Sequence, residues 1–193
     1  MPADVFTTEK RTLGVALSNT TPPLRVPEYQ RDFSWEDKQV ADFWNDIEQF
    51  DEQYPGANIN GKEYFLGAVV LVNNETFHLI LDGQQRFATG TILLAALRDK
   101  VQEYNENAAN QIQDNFISFQ DHLTGEHTSK LELNEFDRAF FRDRIQTVPA
   151  VATAPTKKSH NLILKAYQYF AEKIKERWDQ AGKPVRDSSL RSE

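Results

Sequence analysis

Residues 64–104 read YFLGAVVLVNNETFHLILDGQQRFATGTILLAALRDKVQEY, and this stretch limits the fold more than any other. YFLGAVVLV and TFHLIL are apolar runs of strand length on either side of the turn signal NNE, so they predict a β-hairpin. Asp82 and Gly83 end the second run. A helix follows, with Phe87, Leu94, Leu97 and Val101 at helical spacing. It is apolar on several sides, which predicts a central rather than a peripheral helix.

The rest of the chain reads mainly as helix. TPPLRVPEYQRDFSW holds three prolines and predicts an extended, ordered loop. SWEDKQVADFWNDIEQF predicts a helix with Ser34 as cap, Asp37 completing a capping box, and Val40, Phe43, Trp44 and Ile47 on its buried face. DEQYPGANINGKE and NENAANQ read as loops, the second equally as a helix end. DNFISFQDHL and KLEL predict short strands or edges. NEFDRAFFRDRI predicts a short helix capped by Asn134. TVPAVATAPTKK reads as a linker-like loop. Ser159 is placed as the cap of a last long helix whose apolar stripe is Ile163, Ala166, Tyr167, Phe170 and Ile174. Strands first and helices later predict an α+β fold, a small sheet with a largely helical remainder. The expected organisation is a nucleotide-binding core over 1–125, a helical extension over 126–180 packed on it, and a frayed tail over 181–193.

Composition excludes several chemistries. With no cysteine there is neither a disulfide nor a thiolate metal site. No apolar run approaches the ~20 residues of a membrane span, and the N-terminus lacks an apolar signal core, so a soluble cytoplasmic protein is expected. The formal net charge of -7 disfavours tight nonspecific DNA binding by this chain alone, because phosphate contacts dominate nucleic-acid affinity. A small phosphate ligand needs only a local positive pocket.

The segment DGQQR suits such a ligand. A helix N-terminus presents unpaired N–H groups and a partial positive charge. Gly83 permits a sharp turn and close approach. Arg86 adds a forked cation matched to phosphate oxygens. Gln84 and Gln85 can orient water or read polar ligand atoms. Asp82, which would repel an anion, makes sense if it holds a divalent cation, activates water or pairs with an arginine. A second cluster, VPEYQRDFSW, repeats the Gln-Arg pair as Gln30-Arg31 among aromatics. Two arginines around one site would offset its carboxylates and clamp a triphosphate. The plain alternatives are that Asp82 is a helix cap and Arg86 a surface charge, and that Arg31 pairs with Asp32 or Glu28.

VPEYQRDFSW, YFLGAVVL, LILDGQQRFATGTILLAAL, KLELNEFDRAFF and SHNLILKAYQYF, in that order, resemble the N-terminal domain of GmrSD-type restriction endonucleases, grouped with the ParB/sulfiredoxin-like superfamily. The resemblance spans about residues 10–180. It implies a ParB/sulfiredoxin-like small mixed sheet with a helical remainder, and a bacterial anti-phage role. It also implies a nucleotide-binding, NTP-hydrolysing module that gates a nuclease domain or subunit, HNH-type in many relatives, with DNA engaged by the full assembly. Carried over by motif, Asp82, Gln84, Gln85 and Arg86 are the catalytic candidates. Tyr29, Gln30, Arg31, Gly83 and Arg86 line the nucleoside triphosphate site, and Asp82 is the candidate ligand of Mg²⁺ or a similar cation. After the arginine the family usually continues Leu-Thr-Thr-Leu; here Phe87-Ala88-Thr89-Gly90 follow.

Other functions stay open on the sequence. The last helix carries Lys165, Lys173, Lys175 and Arg177, which would contact phosphates in a DNA-sensing module without turnover; a solvated helix face is the plain reading of the same residues. A catalytically silent scaffold and a ParB-like nuclease are further alternatives, and an oligomer is possible. His78, His122, His127 and His160 do not form the paired, metal-holding pattern of an HNH nuclease and read as structural or surface residues.

Overall fold

The computed structural model describes residues 13–18, 22–54, 67–73, 76–120 and 127–182. In chain order these form α1 (Leu13–Ser18), β1 (Leu24–Arg25), α2 (Asp37–Gln53), β2 (Val70–Asn73), β3 (His78–Asp82), α3 (Gln84–Gln102) and α4 (Glu106–Ile112). They continue with β4 (Ser118–Gln120), β5 (His127–Ser129), β6 (Leu131–Glu132), α5 (Glu135–Phe141) and α6 (Lys158–Gln180). Single π-helical turns at Gln113–Ile117 and Arg142–Gln146 prolong α4 and α5. The architecture is α+β, as the strand-then-helix order predicts.

One small mixed sheet has the strand order β2-β3-β1-β6. β2 and β3 pair antiparallel, which is the predicted hairpin, while β1 runs parallel to both β3 and β6. The start of the first strand run, 64–66, and turn residues 74–75 lie outside the described residues, as do 121–126 and most of the predicted tail, 183–193. β4 and β5 form a separate antiparallel pair.

β1 corrects the expectation of a plain loop between the prolines. Pro23 lacks an N–H but offers its C=O to the His78 N–H at 2.9 Å, and the Leu24 N–H donates to the Lys130 C=O at 2.9 Å. Val26 N–H then donates to the Glu132 C=O at 2.8 Å. Prolines cannot donate to a ladder, so the strand stays two residues long. Its position depends on strands that lie more than fifty residues away, which local pattern cannot show.

α3 is central, as its apolar surface predicts. Phe87, Ala88, Ile92, Ala95 and Ala96 are buried, and α3 packs against α4, α6 and both π-helical turns. The stripe Ile163, Ala166, Phe170 and Ile174 of α6 is buried with Val40, Phe43 and Trp44 of α2 in the same core. That core draws on both sides of residue 125, and residues 126–180 also supply β6 to the sheet.

Three local expectations are corrected. Ser34 is not the cap of α2: the helix starts at Asp37 after Glu36, whose N–H donates to the Gln39 side chain at 3.1 Å. Ser159 is not the cap of α6, which follows Lys157; its hydroxyl donates to Asp137 at 2.6 Å. The polar NENAANQ segment is helical, as α4, with Asn105 accepting from the Ala108 N–H at 3.0 Å. Asn134 does cap α5, accepting from the Asp137 N–H at 3.2 Å.

Candidate functional site

β3 delivers the chain directly into α3 through Gly83, whose φ of 98° lies in the left-handed region. A side chain there would also meet Val69, since an added Cβ would lie 2.8 Å from its Cγ2. Glycine is therefore required twice, by backbone conformation and by the neighbouring side chain. The turn places the start of a long helix, whose first N–H groups have no partner within the helix, at the end of the sheet, with Gly83, Gln84 and Gln85 buried and Arg86 partly exposed.

Arg86 sits one turn into α3. Its Nη2 is 3.2 Å from Asp82 Oδ2, an i,i+4 ion pair in which the arginine is mostly covered and the aspartate 67% exposed. Gly67, with φ of 97°, makes room for the guanidinium: a Cβ at that position would fall 2.0 Å from Nη1. Asp82 is thus a partner of Arg86, one of the three roles its position allows.

The two glutamines face inward. Gln85 Oε1 accepts from the Ser34 N–H at 2.9 Å, and its Nε2 donates to the Asp32 C=O at 3.1 Å. Gln84 Nε2 donates to the Arg31 C=O at 3.4 Å. Gln30 Nε2 in turn donates to the Leu81 C=O at 3.1 Å. The two Gln-Arg clusters are therefore fastened together, as their shared sequence signature predicts. The glutamines grip the backbone of the loop, while Tyr29, at 76% exposure, and Arg31 present their side chains outward.

Arg31 pairs with neither Glu28 nor Asp32. Glu28 accepts from Arg138 Nη2 and from the Glu135 N–H, and Asp32 Oδ1 accepts from Asn134 Nδ2 at 2.9 Å. A small cavity lies beside the junction, lined by Arg31, Gln84, Gln85, Ala88, Asn134 and Asp137 among others, with a volume of about 10 Å³. That is room for about one water molecule. Gln84 Oε1 is buried without a protein partner and is suited to bind it. A nucleotide would have to lie over the exposed surface outside this cavity.

Asn134 and Asp137 are absent from the sequence-based site. Both are 1% exposed. Asn134 donates to the Gln30 C=O at 3.0 Å, and Asp137 Oδ2 accepts from the Phe33 N–H at 2.7 Å. The only sequence signal was Asn134 as a helix cap, which gives no hint of a partner a hundred residues earlier.

A divalent cation at Asp82 would have that carboxylate, now paired with Arg86, as its protein ligand. Mg²⁺ typically takes one or two carboxylates and fills its remaining positions with substrate phosphates and water. Asp82 supplies one exposed carboxylate, and no group of three acidic, His or Cys side chains is gathered among the described residues.

Of the four basic residues considered on α6, Lys173 and Arg177 are engaged in ion pairs. Lys173 lies 2.8 Å from Glu176, and Arg177 pairs with Asp51 and, at 3.6 Å, with Glu48. His160 is buried, stacked on Phe140 at 4.0 Å between ring centroids, and its Nδ1 accepts from the Thr156 N–H at 3.2 Å, a structural setting. Among the described residues no helix is long and apolar enough to cross a membrane.

Comparison with curated proteins found no match. The N-terminal domain of GmrSD restriction endonucleases matches residues 10–190, nearly the whole chain. The chain belongs to the family of GmrSD restriction endonuclease N-terminal domains.

Proposed function

We propose that this domain binds and hydrolyses a nucleoside triphosphate, and that turnover gates a DNA nuclease domain or subunit of a restriction system. Family membership ties the chain to restriction. The observation that carries the nucleotide reading is the convergence of two arginine-bearing segments on one helix start: Arg86 in the first turn of α3, and Arg31 on the loop that Gln84 and Gln85 hold against it. Backbone N–H groups at a helix start and two guanidiniums together form a clamp for phosphate oxygens.

In this reading the triphosphate lies across the start of α3. Arg86 and Arg31 neutralise charge that builds on the transferred phosphoryl group, where preorganised electrostatics supply most of the catalysis. Asp82 exchanges its contact with Arg86 for a divalent cation or for the attacking water. Asp82 would hold a divalent cation arriving with the nucleotide, which would supply positive charge to offset that of the phosphates. Gln84 and Gln85 hold the loop and so fix the distance between the two arginines. The nuclease, HNH-type by resemblance, and DNA itself are partners of the full assembly.

Equilibrium binding of ATP, GTP, CTP and UTP with Mg²⁺ tests the site. Wild type should bind at least one of them, and Arg86→Ala should reduce that affinity by a factor of a hundred or more. Equal affinity in the variant would remove Arg86 from the site.

A further inference from the structure

We infer that Asn134 and Asp137, at the start of α5, are positioning residues that set the height and angle of the Arg31 loop over α3. The inference rests on the nucleotide reading of that site. Five consecutive loop residues, 30–34, are held by buried polar groups. α3 supplies Gln84 to the Arg31 C=O and Gln85 to the Asp32 C=O and Ser34 N–H. The start of α5 supplies the rest: Asn134 Nδ2 holds the Gln30 C=O at 3.0 Å and Asp32 Oδ1 at 2.9 Å, while Asp137 Oδ2 takes the Phe33 N–H at 2.7 Å.

This arrangement exceeds what capping a short helix needs. Asn134 already caps α5 with its Oδ1, leaving both amide hydrogens for the loop. Asp137 is a carboxylate at 1% exposure, which is costly to bury unless its oxygens are bonded. Its second oxygen accepts from Ser159 Oγ at 2.6 Å at the start of α6. The loop is therefore braced from α3 on one side and, through Asp137, from α5 and α6 on the other. Arg31 lies between the two braces and lines the small cavity that both reach.

A loop fastened at every peptide from 30 to 34 is rigid, and rigid placement of a charged group lowers the cost of binding. Residues 126–180 thereby become part of the nucleotide site rather than an attachment to it.

The test uses Asn134→Asp in the full chain. It keeps the oxygen that caps Asp137 and removes the donors to Gln30 and Asp32, placing a carboxylate against Asp32. Hydrogen exchange at Phe33 and Ser34 should speed by at least ten-fold, and nucleotide affinity should weaken by about ten-fold, as loss of a charge-assisted hydrogen bond predicts. The reciprocal pair Asp32→Asn with Asn134→Asp restores a donor and acceptor in the opposite sense. It relieves the like charges and should recover most of the affinity even where the single variant folds poorly. Unchanged exchange and affinity in a folded Asn134→Asp would overturn the inference, as would a reciprocal pair that folds and gains nothing. If wild type binds no nucleotide while Asn134→Asp still frees the loop, the nucleotide reading fails and the positioning role for Arg31 fails with it.

Discussion

Arg86 is the residue on which the proposed nucleotide site depends, and its surroundings leave it room. Gly67 leaves the space its guanidinium fills, and Asp82 holds it at 3.2 Å. With the aspartate 67% exposed, this ion pair contributes little to stability, on the order of 0–1 kcal/mol. Arg86→Ala should therefore lose nucleotide affinity while the urea midpoint shifts only slightly. Gly83 behaves in the opposite way. With φ of 98° and Val69 Cγ2 2.8 Å from any added Cβ, Gly83→Ala meets both backbone strain and a clash. Urea denaturation should show a loss of about 2–4 kcal/mol, from strain of about 1–3 kcal/mol plus the local repacking. A loss below about 1 kcal/mol would mean that the turn relaxes easily.

At the scale of elements, the contact between the 28–34 loop and α3 organises the site. Gln85 makes two of its bonds and is 7% exposed. Gln85→Ala should cost about 1–3 kcal/mol in stability, because the Ser34 N–H and Asp32 C=O lose their partners. It should also weaken nucleotide binding, and a binding isotherm identical to wild type would contradict the coupling of loop and helix. Much of this was legible in the sequence and some was not. The hairpin and central helix follow from run length and periodicity, and the repeated Gln-Arg pair marks two segments that the fold brings into contact. The glutamines' inward direction is not legible: their acceptors and donors are backbone groups more than fifty residues away. Ser34 and Ser159 look like helix caps because a hydroxyl before an apolar run usually is one. In the fold the Ser34 N–H goes to Gln85 and the Ser159 hydroxyl to Asp137, so tertiary partners override the local signal. β1 shows the same override, as a strand between prolines that exists because β3 and β6 flank it.

For the whole molecule, a buried polar network ties α3, α6 and the region around α4 together at the far end of the core. Arg98, 2% exposed, bonds the Asp99 carboxylate at 2.8 Å, the Gln113 side chain and the Ile145 C=O, and Tyr167 donates to Asp99 at 2.5 Å. Burial, and then the hydrogen bond to Asp99, hold the Tyr167 phenol well above its ordinary value of 10.0. The folded state therefore keeps a proton that the unfolded chain releases above about pH 10. Wild-type stability should fall as pH rises through that range, and Tyr167→Phe should remove part of the slope. At neutral pH the same variant should cost about 1–2 kcal/mol. Equal slopes in thermal melts between pH 9 and 11 would show that Tyr167 ionises freely.

Phosphate release from ATP, GTP, CTP and UTP with Mg²⁺, with and without DNA, in wild type and Arg86→Ala, tests the central claim most directly. Wild type should turn over at least one nucleotide, and Arg86→Ala should lose that turnover. Turnover that survives in Arg86→Ala, or none from any nucleotide in wild type under all conditions, would contradict that claim.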